Sequence, residues 1–406
     1  MLIRYLNHLW TELSDAGRKT FPWDLVRGAA SGAVSTVQMV FALLIAINYF
    51  HATDIQKSLI AGSIFGGLIL SMPYEAWSVV LLRKTVRGAV PLFAAAAGLT
   101  VAALAPNAAV YTAGIVAYGL CAALAIPIMT GIYRDNYRGH VRGQVYGITL
   151  LVMVGVGLVA QSVGGGLLET DLGMYRPLFL GFAVLSVLSG IAVLGMPDRI
   201  ERVKPTINPF ASLSTVFENP MFAYMLSAWF LFGFANLALQ PQRIEYVSQA
   251  RYGFEMSPGM IVLIVGITTD LTRLLVIPVW ARLFDRYHFV PIRIAMSSLL
   301  MIYAILYYNF QSVVTLVLGS ISLGAALGGG ALAWQLWVTK YAPPDQTARY
   351  MSVHTFFTGL RGSVGPAIGY ICVEHLSIQT TSRLCALLVA ISLAMLWRIR
   401  DKALRV

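Results

Sequence analysis

Long apolar runs follow one another along almost the whole chain, and most of the short segments between them are basic. Each run is close to the roughly 20 residues that a helix needs to cross a hydrocarbon layer about 30 Å thick. In lipid every backbone N–H and C=O must be paired within the protein, which leaves helices and closed barrels as spanning structures. The alternating ten-residue pattern of a barrel is not present. Composition agrees: 58% of residues are hydrophobic and 12% charged, where a soluble domain carries about 25% charged residues. The expectation is an all-α integral membrane protein.

Twelve spans can be placed in the 406 residues, at 26–50, 55–82, 89–105, 108–132, 144–168, 176–196, 219–242, 257–283, 290–309, 312–339, 350–374 and 379–398. Residues 1–25 read as an amphipathic segment on the inner membrane face. There Leu2, Leu6, Leu9 and Leu13 recur at helical spacing beside Tyr5 and Trp10, and Glu12, Asp15, Arg18 and Lys19 follow. The longest polar stretch, 198–218, has mixed charges and carries Pro205 and Pro209. It divides the chain into bundles of 26–197 and 219–398, with a tail at 399–406.

A formal charge of +11 on a soluble protein would suggest nucleic acid. Here the basic residues sit between apolar runs, so the positive-inside rule accounts for them and no nucleic-acid partner is expected. With both termini inside, the inner segments hold Arg83, Lys84, Arg87, Arg134, Arg138, Arg142, Arg199, Arg202, Lys204, Arg282, Arg286, Arg293, Lys340 and Arg349. The outer ones hold only Lys57, Arg176, Arg243, Arg251 and Arg383. That places a multi-pass protein in the cell membrane with cytoplasmic N- and C-termini. Cys121, Cys372 and Cys385 lie in or near apolar runs and read as small core residues. There is no paired zinc-ligand spacing, no phosphate-binding glycine loop and no Ser-His-Asp set at one depth. We therefore expect no metal, no cofactor and no enzyme, and any transport would draw on gradients.

The halves echo each other. TGIYRDNYRGHVRG leads into a glycine-rich fifth span, and WVTKYAPPDQTARY leads into a glycine-rich eleventh, with Arg142 and Arg349 at matching places. LLRKTVRG after the second span stands opposite RLFDRYHF after the eighth. In these features the chain resembles the major facilitator superfamily (MFS) of secondary transporters. The family's loop signature is matched by Ala281, Asp285 and Arg286, while in the first half Leu82 replaces the aspartate before Arg83, Lys84 and Arg87. The resemblance implies two pseudo-symmetric six-helix bundles. Asp285, Arg286, Arg83, Arg87, Arg142 and Arg349 would then be gating-loop residues. The glycine- and proline-rich fifth helix of exporters is matched only in part by Gly157, Gly165 and Gly166, and the fuller version, Gly359 to Gly369 around Pro366, lies on the eleventh. The fourth span lacks the arginine that drug exporters place there.

Charged residues inside a span cost about 2.5–3.5 kcal/mol on insertion scales, so each is a functional hypothesis. Counted from the inner end, Asp270 and Arg361 both lie roughly 18 Å deep, and Arg273 and Glu75 roughly 12–14 Å. Matched depths and opposite signs suggest pairs, across helices 2 and 11 or 5 and 8, which adjoin in the fold that the resemblance implies. Asp270 and Arg273 are also i,i+3 and could pair with each other. His354 is a satisfied histidine or a proton sensor. Gln38, Tyr74, Trp77, Trp229, Asn236, Gln240, Trp334 and Gln335 are candidates for lining a substrate cavity, with helix packing as the plainer alternative. Pro73, Pro127, Pro278 and Pro366 would kink their helices.

The leading expectation is a monomeric secondary transporter moving a small solute by alternating access, coupled to protons, with membrane lipid as its surroundings. Asp270 and Glu75 are the candidates for protonation, with Arg361 and Arg273 as partners or as anchors for an anionic substrate. The alternatives are an exporter of a drug-like or lipid amphiphile, or a non-transporting receptor or assembly factor with the same fold.

Overall fold

The computed structural model describes residues 9–81, 83–198, 211–338, 341–343 and 347–403, without the side chains of Asp285 and Gln335 among others. Leu2, Tyr5, Leu6, Leu82, Arg199, Arg202, Lys204 and Lys340 lie outside the described residues. The described chain is helical with no strand, and twelve long helices account for most of it. They are α1 (Asp15–Asn48), α2 (Asp54–Leu81), α3 (Lys84–Ala103), α4 (Ala108–Asn136), α5 (Gly139–Thr170) and α6 (Tyr175–Leu194). The second half holds α7 (Pro220–Ser248), α8 (Pro258–Phe284), α9 (Phe289–Asn309), α10 (Val313–Leu336), α11 (Thr347–His375) and α12 (Ile378–Ala403). Eleven of these are long and apolar enough to cross a membrane. The exception is α11, whose Arg349, His354, Arg361 and Glu374 lower its hydropathy.

Several helices begin where short polar side chains offer an acceptor to an orphan N–H. Ser14 caps α1 through Gly17, Asn107 caps α4 through Val110, and Asn219 caps α7 through Phe222 with Pro220 at the first position. The first of these overturns an expected boundary. Residues 15–25 are the start of a 34-residue α1, not part of an amphipathic segment on a membrane face. Leu9 and Leu13 are 3% exposed and pack with Tyr133, Tyr137 and Val141 inside the first bundle.

Helix contacts show the internal repeat directly. In the first half the packed pairs are α1–α5, α1–α6, α2–α4, α3–α4 and α3–α6. The second half repeats them as α7–α11, α7–α12, α8–α10, α9–α10 and α9–α12. The seams between halves obey the same rule, since α2–α11 and α5–α8 exchange under a shift of six helices. Small residues make these crossings close. A Cβ on Gly62 would lie 3.1 Å from the Ser363 carbonyl, and one on Gly359 would lie 2.9 Å from that of Phe65.

The bundles touch along the half of their length that is remote from the basic loops. There Gly165 of α5 packs on Val262 of α8, and Gly259 N–H donates to Glu169 Oε2 at 2.6 Å. Lys57 of α2 and Glu245 of α7 form a buried ion pair at 2.6 Å. Toward the basic end the seams part: a Cβ on Gly139, Gly143, Gly147 or Gly155 of α5 would meet nothing within 4 Å. On that side Trp77, Leu275 and Val279 are exposed.

Candidate functional site

Two helices depart from α-geometry where the halves meet at mid-depth. In α1, Val37–Phe41 is a π-turn, and in α8, Val262–Ile267 is another. The two turns pack against each other. A π-turn inserts a residue and leaves carbonyls without their regular partners, and such turns gather at functional sites. Here side chains take those carbonyls. Thr268 Oγ1 donates to Leu263 O at 2.8 Å and Thr269 Oγ1 to Val265 O at 2.9 Å. Arg243 Nη1, reaching over from α7, donates to Val265 O and to Thr269 Oγ1, each at 3.2 Å.

Asp270 follows the α8 turn. Its Oδ2 accepts from Gln161 Nε2 of α5 at 2.6 Å, a hydrogen bond between the two bundles. Its Oδ1 lies 3.8 Å from Arg273 Nη1. Beside the pair is a small pocket in which Gln240, Arg243, Thr269, Asp270 and Arg273 stand among apolar residues such as Met39, Val40, Val265 and Leu327. Its space, about 20 Å³, is of the order of one water molecule. The lining contains two guanidiniums and one carboxylate, and the Nε atoms of Arg243 and Arg273 and the Oε1 of Gln161 are buried without partners.

Asp270 pairs along its own helix, and no ion pair joins it to Arg361. Arg361 instead donates to Trp229 O and, at 3.2 Å, to Thr358 Oγ1. Equal depth fixes height along the membrane normal but not direction around the helix, and Arg361 points into its own bundle. It belongs to a second cluster with Arg293 and His354, walled by Trp229, Trp337 and Phe232. Trp334 packs on His354 from the side. Trp229 stacks on Trp337 and Phe289 within this cluster.

The other cavity candidates divide. Gln240 lines the central pocket and donates to Asn236 Oδ1 at 3.1 Å. Gln38 lies within the α1 turn but ties it to α2, donating to Ile60 O at 2.9 Å. Tyr74 donates to Arg87 O at 2.8 Å and so fixes α2 to α3. Glu75 and Trp77 lie on the exposed, basic-end part of α2, away from the turns. The Gln335 and Asp285 side chains lie outside what is described.

With this arrangement in view, comparison with known proteins is informative. The sequence matches the model of the Major Facilitator Superfamily over residues 27–307 and 271–406. The chain belongs to this superfamily. Its fold is also that of solved MFS proteins. A point mutant of the nucleoside transporter NupG superposes with a TM-score of 0.73 at 13% identity, covering 95% of this chain and 100% of the other. A D-xylose–proton symporter gives 0.73 at 13% identity, over 93% and 96% of the two chains. The human organic anion transporter MFSD10 gives 0.70 at 16% identity, over 94% and 100%. No curated protein sequence matches.

The MFS loop positions are tied down in different ways. Arg83 is exposed and precedes α3 in extended conformation. Next to it Lys84 pairs with Asp135 of α4, and Asp198 accepts from Thr85 N and Oγ1 at 3.2 and 3.0 Å. Carboxylates from elsewhere thus hold the loop in which Leu82 stands for an aspartate. Arg87 is buried, with Nε and Nη1 unpartnered. Arg142 donates to the carbonyls of Arg134 and Tyr137, closing the end of α4. Arg349 grips Glu218 and Ser214 just before α7, and Arg286 is exposed.

Sequence reasoning missed several polar residues of this MFS chain. Arg243 was counted as a loop charge because α7 was ended at 242, whereas the helix runs on to Ser248. Gln161, on the glycine-rich fifth span, is not among the residues singled out from the sequence. Asp24 and Arg27 are not among the residues singled out from the sequence, yet Asp24 is 0% exposed and accepts from Arg27 Nε, Tyr133 Oη and Thr149 Oγ1 at 2.9, 2.7 and 2.8 Å. Their i,i+3 spacing beside an apolar run was the available signal.

Proposed function

We propose that this protein is a proton-coupled secondary transporter that carries a small polar solute by alternating access, with Asp270 as the coupling residue. The observation that carries the reading is the Asp270–Gln161 hydrogen bond, in which the carboxylate lining the central pocket also bridges the two bundles. As a carboxylate, Asp270 accepts from Gln161 and attracts Arg273. Once protonated it has an O–H to donate and a weaker hold on Arg273. The unpartnered Gln161 Oε1 could then accept that proton's hydrogen bond after the amide turns over. Proton arrival would thereby change both the contact between the halves and the availability of Arg273. With Arg243 opposite, two guanidiniums against one carboxylate favour a solute bearing a negative group.

By the positive-inside rule we place the basic end, and both termini, in the cytoplasm of a cell whose plasma membrane holds the protein. The parted seams then face inward, and the Lys57–Glu245 end is the closed outer side. An amphiphile exporter finds some support in a groove of about 400 Å³ between α2, α4 and α11, open at the side and lined by Ile55, Leu59, Leu120 and Ile371. The charged groups at mid-depth argue for a polar solute instead. Reconstituted into liposomes, Asp270→Asn should lose accumulation driven by a proton gradient and keep counterflow exchange. Equal loss of both would show that Asp270 serves structure or solute binding only.

A further inference from the structure

We propose that the second bundle contains a binding site for a small monovalent anion of halide size, held between Arg293 of α9 and Arg361 of α11. The cluster is rich in donors and poor in acceptors. Arg293 and Arg361 are 1% and 5% exposed, and neither makes an ion pair among the described residues. Arg293 lies between ring faces, its guanidinium carbon 3.6 Å from the Trp229 ring centre and 3.8 Å from that of Phe232. Those rings cover the flat sides of the guanidinium and leave its edge, where Nη1 and Nη2 have no partner among the described residues. The Nε of Arg361, the Nε1 of Trp229 and of Trp337, and both ring nitrogens of the fully buried His354 are likewise unpartnered.

Unpaired buried donors are expensive, and an unpaired buried charge costs several kcal/mol even after relaxation. Both arginines reach Trp229, one over its ring and one at its carbonyl, so their like charges share one neighbourhood and repel. Cation–π contact offsets part of this. An acceptor carrying negative charge removes the rest by taking in-plane N–H groups from both arginines. The enclosure sets its size. Trp229 and Trp337 stack at 5.6 Å, Trp337 and His354 meet at 5.1 Å, and Gly233 lies so close under Arg361 that a Cβ there would be 2.3 Å from the guanidinium carbon. A solute-sized carboxylate would have to displace these rings, and a dianion would lose far more hydration on entry. A single halide asks least of the packing and of desolvation.

Melting of the purified, detergent-solubilised full chain tests this, in sodium chloride, bromide, acetate or gluconate at constant ionic strength. Chloride and bromide should raise Tm over gluconate to a plateau, as binding to the folded state requires. The rise should vanish in Arg293→Met and shrink in Arg361→Met. Crystals of the unaltered protein grown in bromide should show an anomalous peak within hydrogen-bond reach of both guanidiniums, which decides the matter if the variants do not fold. Equal melting in chloride and gluconate, a halide effect unchanged in Arg293→Met, stabilisation by acetate alone, or no bromide peak between the arginines would each overturn the assignment.

Discussion

At Asp24 one side chain ties three helices of the first bundle together. Its two oxygens collect Arg27, Tyr133 and Thr149 from α1, α4 and α5 with no exposure to solvent. Removing the charge leaves Arg27 buried against a weaker acceptor, and breaking a buried pair costs about 3–5 kcal/mol. We expect Asp24→Asn to lower the melting temperature clearly, and a scan in detergent to show it. A change within error would mean that water replaces the carboxylate. The run of residues around Asp24 shows only Arg27, because its partners on α4 and α5 lie more than a hundred positions away. Asp270 was legible for the opposite reason. A carboxylate in mid-span stands out in any sequence, and Arg273 three positions on already named its nearest charge. What could not be read was Gln161, since an amide on a glycine-rich helix gives no hint of the direction it faces.

Helix number, order and pairing across the repeat were readable because apolar length and loop charge are properties of whole segments. Ends were less so. A hydropathy profile stops at the first charge, whereas α1 and α7 carry theirs inward to partners that neutralise or bond them. The segment before α7 gives an element-scale test. Glu218 of the short helix Thr215–Glu218 is held below the ordinary carboxylate range, first by its hydrogen bond from Arg349. A lowered folded pKa means that the tether contributes above the unfolded carboxyl value and is lost as pH falls through the folded one. Hydrogen exchange over residues 214–219 should therefore be slow at neutral pH and rise below the usual carboxylate range. The rise should come at higher pH in Arg349→Gln. Identical profiles in both proteins would show that the contact holds nothing.

For the molecule as a whole, the end remote from the basic loops is closed by a charge network. Lys57 sits 4.7 Å above the Tyr370 ring and bonds Glu245 across the seam, while Arg251 bonds the other Glu245 oxygen. Lys57 and Glu245 are both buried, and losing Lys57 leaves Glu245 held by Arg251 of its own bundle with that bond across the seam gone. Lys57→Gln should shift the population toward opening at that end, and the exchanged pair Lys57→Glu with Glu245→Lys should restore closure in part. Spin labels at 55 and 260 would report the distance; no change in Lys57→Gln would assign closure to the helix packing alone.

The paired π-turns carry a further consequence for how such a chain can vary. Each contains one residue beyond what an α-helix of the same height requires. Deleting Leu263, say, would let α8 wind regularly between the same ends, so that Asp270 keeps its facing toward Gln161. The same deletion a turn further on, in regular helix before Asp270, would rotate everything beyond it by about 100° while the hydropathy profile, the loop charges and the helix count stayed as they are. In a protein built this way, the turns are where the loss of one codon is absorbed, and the regular helix beside them is where it re-aims the central carboxylate.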